Sequence, residues 1–343
     1  MSSKQYTRIL LNERPVGTLT SNIFRIDKGP LDLKPGAGEV LIQVTWLSLD
    51  PAMRGWVSSA RSYVPPVPLG DVMRSYGLGT VKEVGEGTKL KVGDVISAWT
   101  GWTEYAVLKE SEVEKLQMHA CQYPPGAQLI DFLGAFGATG GLTAYFGLFE
   151  VAKIKAGETV VVSGAAGSVG SLVCQIAKLH GAKVIGIAGS EDKCKWLKDE
   201  LKIDGTLNYK SPTFKEDFKE AVGYLDVFFD NVGGEILDFA LTRLNKGARI
   251  TLCDNSAPKG LSNYLNLIFQ RGKIEGFVVL DYADRFSEAL NKLSQWISEG
   301  SLIRRFHIIE GLEKAPEALP LLFSGGNTGK LFVLSSCFLA LPS

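Results

Sequence analysis

The sequence predicts an α/β fold in which a β-rich N-terminal part precedes a doubly wound parallel sheet. Two patterns indicate this class. The first 126 residues hold short alternating strands with Gly and Pro turns, whereas near-continuous apolar strands alternate with helices after them. Strands that are apolar on both faces are typical of parallel sheets covered by helices on both sides. A chain of 343 residues is too long to fold around one simple core, which favours two domains.

Three segments of the N-terminal part are predicted to be strands. Residues 39–46, 77–85 and 92–99 are rich in β-branched residues that alternate with polar ones, and turns such as Pro35-Gly36 punctuate them. This punctuation predicts a small barrel and not a helical bundle.

The second part alternates strands and helices. It begins with an Ala- and Gly-rich apolar stretch of helical spacing at 134–151. The predicted strands are 159–163, 183–188, 225–230, 248–253 and 274–280, and the predicted helices are 169–180, 191–201 and 286–298. Two strand-like runs near the end, 308–309 and 331–334, are expected to return to the first domain.

Composition and charge exclude several classes of partner. The 37 basic residues balance the 37 acidic ones, so no long-range field attracts nucleic acid or an anionic membrane. No apolar stretch is long enough to span a bilayer and the N-terminus has no signal core, so we expect a cytoplasmic protein. The 5 cysteines form no C-x-x-C pair, and the 3 histidines lie outside any cysteine cluster. Neither a disulfide framework nor a zinc site is therefore expected.

A glycine-rich turn is the strongest local signal for a ligand. Gly164, Gly167 and Gly170 lie between a predicted buried strand and a predicted helix. Small residues there let the backbone approach a pyrophosphate, which the free N–H groups of the helix N-terminus then bind. The turn therefore predicts a dinucleotide-binding Rossmann unit. Its G-x-x-G-x-x-G spacing departs from the standard G-x-G-x-x-G, and a tight turn without a ligand is the alternative.

The end of the second predicted strand indicates which dinucleotide is bound. Enzymes that select NAD usually carry an acidic residue there, which binds the ribose hydroxyls. This chain has Ala188-Gly189-Ser190 instead, with Lys193 shortly after. A lysine ammonium pairs with a 2′-phosphate, and Ser190 offers a further hydrogen bond. The sequence therefore predicts NADPH as the cofactor, the alternative being that Lys193 is only a solvated surface lysine.

Ordered motifs along nearly the whole chain, from about residue 6 to about residue 334, carry a family resemblance. They are L-S-L-D-P-A-M-R at 47–54, G-G-L-T-A-Y at 140–145, V-S-G-A-A-G-S-V-G-S at 162–171, Q-I-A-K-L at 175–179, A-G-S-E-D-K at 188–193, N-Y-K at 208–210, F-D-N-V-G-G-E at 229–235, E-G-F-V-V at 275–279 and G-N-T-G-K at 326–330. The chain resembles the zinc-independent branch of the medium-chain dehydrogenase/reductase superfamily. Within that branch it is similar to prostaglandin reductases (leukotriene B4 dehydrogenases), alkenal double-bond reductases and their fungal relatives.

The resemblance implies a fold, a reaction and an assembly. A GroES-like substrate and catalytic domain would comprise residues 1–126 and 310–343, and a Rossmann NADPH-binding domain residues 127–309. NADPH would deliver hydride to the β-carbon of an α,β-unsaturated aldehyde or ketone, the small-molecule substrate. Members of the superfamily often form homodimers through Rossmann edge strands.

The resemblance also implies roles for individual residues. Residues expected to bind the cofactor are Ala166, Gly167, Ser168, Val169, Gly189, Ser190, Lys193, Tyr209, Asn231, Cys253, Phe277, Val278, Val279 and Asn327. Within this set, Lys193 and Tyr209 match the 2′-phosphate end, and 277–279 match a buried strand that flanks the nicotinamide. For Asn231 and Asn327, plain turns are the alternative.

One departure leaves the catalytic residue unassigned. The family normally continues the strand that ends in Leu-Cys with Gly-x-Ile-Ser-x-Tyr, whose tyrosine is a candidate proton donor. Here Leu252-Cys253 runs directly into 254–260, which we interpret as a short internal deletion. The remaining candidates are Tyr282, Tyr264, Tyr76, Met53 and Arg54, and Asp50 is expected either to act in catalysis or to brace its loop by pairing with Arg54.

Two alternatives to an enal or enone reductase stay open at the level of sequence. An NADPH quinone reductase would tolerate loss of the tyrosine better, since reduction of a quinone depends less on a proton donor from the protein. An NADPH-binding protein with a disabled active site would bind the cofactor without turnover. The apolar tail at 335–343 departs from the family as well, and its role is not predicted.

Overall fold

An antiparallel sheet and a parallel sheet organise the protein in the computed structural model, which describes residues 4–116, 124–253 and 260–335. The sequence-based interpretations of His119, Cys121, the segment 254–259, Cys337 and most of the tail lie outside the described residues. Within them, no helix is long and apolar enough to cross a membrane.

The N-terminal part is β-rich, as predicted. Its elements are β1 Gln5–Leu11, β2 Phe24–Pro30, β3 Glu39–Ser48, α1 Met53–Trp56, β4 Gly77–Val84, β5 Val95–Ala98, β6 Tyr105–Lys109 and β7 Val113–Leu116. Strands β1 and β2 form an antiparallel pair, while β3, β4, β5 and β7 are successive antiparallel neighbours and β6 pairs with β3. The predicted strands at 39–46, 77–85 and 92–99 are confirmed as β3, β4 and β5.

The second part forms an all-parallel sheet with helices between its strands. The strands are β8 Thr159–Val162, β9 Lys183–Ala188, β10 Gly205–Asn208, β11 Leu225–Asp230, β12 Leu244–Leu252 and β13 Lys273–Gly276. The helices are α2 Thr143–Phe146, α3 Ser168–Leu179, α4 Glu191–Asp199, α5 Phe214–Val222, α6 Gly234–Ala240, α7 Asn266–Gln270 and α8 Phe286–Ser298. The spatial order β10-β9-β8-β11-β12-β13 is that of a Rossmann sheet, and its topological switch point lies between β8 and β11.

The end of the chain returns to the first sheet, as the sequence suggested. The last elements are α9 Ala315–Ala318, α10 Leu321–Ser324 and the strands β14 Phe306–Glu310 and β15 Lys330–Leu334. Strand β15 pairs antiparallel with β3, and β14 extends the sheet in parallel with β15. The chain therefore crosses back to the first sheet between α8 and β14, before Phe306.

The parallel sheet is buried on both faces, which explains its uninterrupted apolar strands. Phe228 and Phe229 are adjacent on β11 and both are fully buried. Because side chains alternate along a strand, Phe229 packs with the cluster under α2 and α3, whereas Phe228 packs with the cluster under α5 and α6. A separate cluster fills the barrel, with Trp102 and Leu47 among its fully buried members.

Two predicted elements differ from the structure. The helical stretch predicted at 134–151 begins at Ala138 and is interrupted at Gly140, which has the non-helical angles φ −140° and ψ −106°. The strand predicted at 274–280 ends at Gly276, since Gly276 pairs with Leu252, the last residue of β12. Phe277, Val278 and Val279 therefore do not form the buried strand that the sequence predicted. They are half-buried, and Val279 begins a 3₁₀ turn.

Candidate active site

The glycine-rich turn lies at the switch point of the parallel sheet. It connects β8 to α3, and Gly167 is the N-cap of the helix. Gly164 has φ +57°, a left-handed conformation that favours glycine. A Cβ on Gly170 would overlap the carbonyl oxygen of Gly164 and lie 2.9 Å from the Cα of Ala165, so the helix can approach the turn this closely only with glycine. The result is a concave backbone surface at a helix N-terminus, which suits a pyrophosphate.

Four predicted cofactor residues belong to this turn. Ala166 and Gly167 lie in the loop, and Ser168 and Val169 begin α3. The structure thus brings together, at the positive end of the helix dipole, the residues that the sequence assigned to the pyrophosphate.

A buried hydrogen-bond network fixes the ends of the two central strands beside this turn. The Ser163 hydroxyl donates to Oδ1 of Asp230 at 2.7 Å and accepts the Asn231 N–H at 2.8 Å. The Asn231 side chain donates to the Ser163 carbonyl at 2.8 Å. Burial raises the pKa of Asp230 above its ordinary value. The sequence singled out Asn231 but not Ser163 or Asp230, because neither matches a motif position assigned to the cofactor.

The end of β9 has the features predicted for a 2′-phosphate site. Ser190 is the N-cap of α4 and accepts the Lys193 N–H at 3.4 Å. The ring of Tyr209 covers Gly189, where a Cβ would lie 2.8 Å from the Tyr209 Cε1. The Lys193 ammonium donates to the Gly325 carbonyl at 2.8 Å. Burial, and then the nearby Lys210 charge, lower the pKa of Lys193.

Two carboxylates, Glu191 and Asp192, lie in the first turn of α4 near this end of the sheet, and that of Glu191 has a partner. Glu191 begins α4, and its Oε1 accepts a hydrogen bond from the Asn208 side chain at 2.6 Å. This contact holds the carboxylate toward β10. The carboxylate that a NAD-selecting enzyme carries at the end of the second strand is replaced here by Gly189 and Ser190.

Asn327 lies in the loop that precedes β15. Its side chain is 8% exposed and donates to the Gly329 carbonyl at 3.0 Å. The Gly329 N–H donates in turn to the Ala166 carbonyl at 2.7 Å. This loop, which we call the 325–330 segment, therefore contacts the glycine-rich turn directly and contacts Lys193 through Gly325.

The remaining predicted cofactor residues lie at the ends of β12 and β13. Cys253 follows β12, and its N–H donates to the Asp230 carbonyl at 2.9 Å. Phe277 packs against Gly147, where a Cβ would lie 2.9 Å from the Phe277 ring. With Val278 and Val279, these residues border the same carboxyl edge of the sheet as the glycine-rich turn.

On the barrel side, the predicted Asp50–Arg54 pair is wrong. The Asp50 carboxylate forms an ion pair with Lys330, and both side chains are buried. Arg54 instead donates to the Gly17 carbonyl at 3.1 Å and lies over the Phe323 ring. Met53 is fully buried in the barrel core. Sequence spacing suggested Arg54 as the partner of Asp50. The fold instead brings Lys330, which is 280 residues away in the sequence, next to Asp50.

Strand alternation places several polar and aromatic groups on one face of the barrel sheet. Leu49, Ala98 and Leu331 belong to the barrel core. Lys330, the neighbour of Leu331 on β15, therefore points to the opposite face, and its ion pair places the Asp50 carboxylate there as well. Tyr76 packs against the cluster that contains Phe332, which also alternates with Leu331, and Trp99 contacts Tyr76. Lys330 also donates to Thr139 at 3.1 Å, so this face is turned toward the start of the second part.

An aromatic cluster continues this face. Trp99 is 48% exposed, and its ring forms edge contacts with Tyr76 and Trp56 at centroid distances of 5.2 and 5.6 Å. The Tyr76 hydroxyl lies 3.5 Å from the Ser97 hydroxyl, and burial raises the pKa of Tyr76. No motif pointed to Trp99, which the sequence pattern indicated only as the end of a strand.

The other two candidate tyrosines lie elsewhere. Tyr282 stacks on Phe146 at 4.8 Å, and burial raises its pKa. Tyr264 is 54% exposed and precedes α7. Tyr76 is the candidate that shares a sheet face with Asp50 and Lys330.

The described residues do not form a metal centre. Within residues 4–116, 124–253 and 260–335, no three His, Cys, Asp or Glu side chains cluster in a way that could hold a metal ion. The described donor set therefore does not fit a zinc site, and we derive no catalytic step through a metal.

Two families match this chain. The family described as the N-terminal domain of oxidoreductase matches residues 7–116, and the family described as zinc-binding dehydrogenase matches residues 168–295. These ranges contain most of the barrel sheet and most of the parallel sheet, respectively.

Named relatives match almost end to end. Prostaglandin reductase 1 of Bos taurus is 38% identical over 94% of this chain and 97% of its own. The NADPH-dependent curcumin reductase of Escherichia coli (strain K12) is 35% identical over 95% of this chain and 96% of its own. The crystal structure of CurA from Vibrio vulnificus in complex with NADPH has a TM-score of 0.89 at 36% identity, covering 96% of this chain and 99% of that one.

Proposed function

The chain belongs to the medium-chain dehydrogenase/reductase superfamily, and on that premise we propose that it catalyses the NADPH-dependent reduction of the C=C bond of α,β-unsaturated aldehydes and ketones. Relatives named as prostaglandin reductase and curcumin reductase support this reaction class. The observation that carries the choice of cofactor is the end of β9, where Gly189 and Ser190 replace the acidic residue of NAD-selecting enzymes and Lys193 follows in α4. NADP(H) is therefore the cofactor.

We assign a binding role to each group of predicted cofactor residues. The N–H groups at the start of α3, with Ala166, Gly167, Ser168 and Val169, hold the pyrophosphate. Lys193, Ser190 and Tyr209 hold the 2′-phosphate. Asn231, Cys253, Asn327 and the 277–279 segment line the remainder of the cofactor groove. We propose that residues 1–126 and 310–343 form the substrate domain and residues 127–309 the cofactor domain, except that β14, which begins at Phe306, belongs to the barrel sheet.

When bound, NADPH supplies the hydride that reaches the β-carbon of the substrate. The residues of the chain hold the two reactants close together and correctly oriented, which lowers the barrier of the chemical step. The negative charge that develops on the substrate oxygen then requires a hydrogen-bond donor, and the α-carbon requires a proton. We propose Tyr76 as both the hydrogen-bond donor and the proton donor, because a tyrosine hydroxyl is protonated at neutral pH and this one lies on the sheet face that carries Asp50.

The aromatic cluster suggests which substrates are favoured. A conjugated enone is flat, and an aryl-substituted one presents a ring face. The half-exposed ring of Trp99 offers an apolar surface beside Tyr76 on which such a substrate can lie. We therefore propose that aryl-conjugated enals and enones are preferred over short aliphatic ones, and that the reaction proceeds without zinc.

The proposal is tested by product analysis. Purified protein is incubated with NADPH and an aryl enone, and the product is identified. The saturated ketone supports the proposal, whereas the allylic alcohol would show carbonyl reduction instead. NADPH oxidation with a quinone alone would favour a quinone reductase, and NADPH binding without any turnover would favour a disabled site.

We also propose that two copies of the chain associate through β13. Among the described residues, β13 ends the parallel sheet, so one side of it is unpaired. Apolar side chains stand exposed on α7 next to it, with Ile268 69% and Phe269 66% exposed. Strand edges and apolar patches of this kind favour association. Light scattering should give twice the chain mass for the wild type and the single mass for Phe269→Asp, and a monomeric wild type would contradict the proposal.

A further inference from the structure

We propose that Lys330 is a positioning residue that couples the glycine-rich turn to the substrate-side loop of Asp50 and α1. This inference rests on the proposed function, since it gives Lys330 a role in the NADPH-dependent reaction. Lys330 would contact neither NADPH nor substrate. It would act through Asp50.

The ion pair of Lys330 and Asp50 is buried and held from several sides. The two residues are 4% and 2% exposed. The second carboxylate oxygen of Asp50 accepts the Ser48 hydroxyl at 2.6 Å, and Lys330 donates to Thr139 at 3.1 Å. The main-chain carbonyl of Asp50 accepts the Met53 N–H at 3.0 Å, which begins α1. A change in the position of Lys330 is therefore transmitted to α1.

The backbone next to Lys330 is attached to the cofactor-binding turn. The Gly329 N–H donates to Ala166 at 2.7 Å, and the Lys330 N–H donates to the Arg305 carbonyl at 2.9 Å. Gly329 has φ +72°, and a Cβ there would overlap the Arg305 carbonyl, so this approach requires glycine. The side chain of Lys330 also lines a small cavity together with Ser168 at the start of α3. One peptide unit thus separates the turn from the ion pair.

Stability alone does not account for this ion pair. Desolvating two charges offsets most of their attraction, and a well-packed apolar pair is often at least as stable. A buried ion pair does fix orientation, however, because it tolerates only one arrangement of donors and acceptors. The geometry therefore points to coupling, in which NADPH fixes the Ala166 turn and the 325–330 segment then fixes Asp50 and the first turn of α1.

Hydrogen exchange measured by mass spectrometry tests this coupling. Full-length wild-type protein is compared with and without NADPH, and the variants are Lys330→Met and the double variant Asp50→Leu/Lys330→Met. The double variant replaces the ion pair by apolar groups, which keeps the protein folded if the single variant is unstable. Lys28→Met serves as a matched control, because it removes an exposed ion pair with Glu313 in the same part of the molecule.

In the wild type and in Lys28→Met, NADPH should slow exchange both in the 163–170 turn and in residues 50–57. In the Lys330 variants it should slow exchange in the turn only. These variants should also lose roughly 10- to 100-fold in kcat, the cost of a misplaced reacting group, while the Kd for NADPH changes much less. Lys330→Arg should restore part of both effects.

Two results would overturn the inference, and they differ from each other. If NADPH protects the turn of the wild type but not residues 50–57, or protects both regions equally in the Lys330 variants, the coupling does not exist while the proposed function stands. If the wild type binds no NADPH at all, the proposed function fails and the inference fails with it.

Discussion

The Nζ of Lys193 lies 2.8 Å from the carbonyl oxygen of Gly325. This contact joins the helix that follows the second strand of the parallel sheet to the 325–330 segment, which leads back to the barrel. The ammonium is thereby held in one orientation beside the 325–330 segment. Such preorganisation reduces the entropy lost when a ligand binds.

Replacing Lys193 by alanine should weaken NADPH binding selectively. A hydrogen bond to a charged group contributes about 1.5–3 kcal/mol, which corresponds to roughly 10- to 150-fold in Kd. The affinity for NADH, which lacks the 2′-phosphate, should change little. Fluorescence titration of both cofactors measures this difference, and Lys195→Ala, an exposed lysine of the same helix, serves as the control. Equal losses for NADPH and NADH would show that Lys193 does not bind the phosphate.

As the pH rises, the affinity for NADPH should begin to fall at a lower pH than it would with a lysine of ordinary pKa. Burial and Lys210 lower the pKa of Lys193, so its positive charge is present below that lowered pKa and is lost as the pH rises through it. The 2′-phosphate remains dianionic above about pH 6, so the loss comes from the lysine. NADPH titrations at several alkaline pH values should give different Kd values for the wild type and Lys193→Ala at the lower pH values. At the higher pH values the two Kd values should become similar. A wild-type profile parallel to that of Lys193→Ala throughout would contradict the assignment.

Gly170→Ala should disturb the cofactor-binding turn. The new Cβ would overlap the Gly164 carbonyl, so α3 must shift away from the turn. Overpacking of this kind costs about 1–3 kcal/mol of folding stability, and the displaced N–H groups no longer fit a pyrophosphate. Thermal unfolding and NADPH titration should both show a loss. Gly29→Ala is the control, because a Cβ there meets open space and its φ is not positive. An unaltered Kd for NADPH in Gly170→Ala would remove this turn from the binding site.

The two sheets and the glycine-rich turn could be predicted because their signals are local. The apolar strand 225–230, for example, is followed directly by the turn that contains Asn231, and both are where the sequence places them. The end of β13 could not be predicted, since it depends on where the neighbouring strand β12 stops. The partner of Asp50 was not predictable either. Its pairing with Lys330 depends on the return of β15 to β3, which no spacing along the chain reveals.

Tyr76→Phe should lower kcat and leave NADPH binding unchanged. General acid catalysis contributes about 10²–10⁴-fold, and solvent can replace part of it, so we expect a loss of roughly 10²-fold. Steady-state kinetics with one aryl enone measures the effect. Tyr282→Phe and Tyr264→Phe are matched controls, since those two tyrosines were equal candidates from the sequence and lie away from the Asp50 face. Loss of activity in either control, with full activity in Tyr76→Phe, would reassign the proton donor.

Trp99→Ala should change the substrate preference. An aromatic contact contributes about 0.5–1.5 kcal/mol, so kcat/KM for an aryl enone should fall roughly 2- to 10-fold. The value for a short aliphatic enal should change much less, because it presents no ring to Trp99. Both substrates are measured with the same enzyme preparation, which removes any common loss of stability. An equal fall for the two substrates would show that Trp99 supports the fold and does not select the substrate.

The most direct test of enone reduction follows NADPH absorbance with purified protein and a panel of enals and enones, with a quinone and NADH as comparisons. We predict oxidation of NADPH that depends on the enone, yields the saturated carbonyl compound and is much slower with NADH. Measurable NADPH binding with no turnover on any enal or enone would contradict the central claim and would identify the protein as one that binds the cofactor without reducing these substrates.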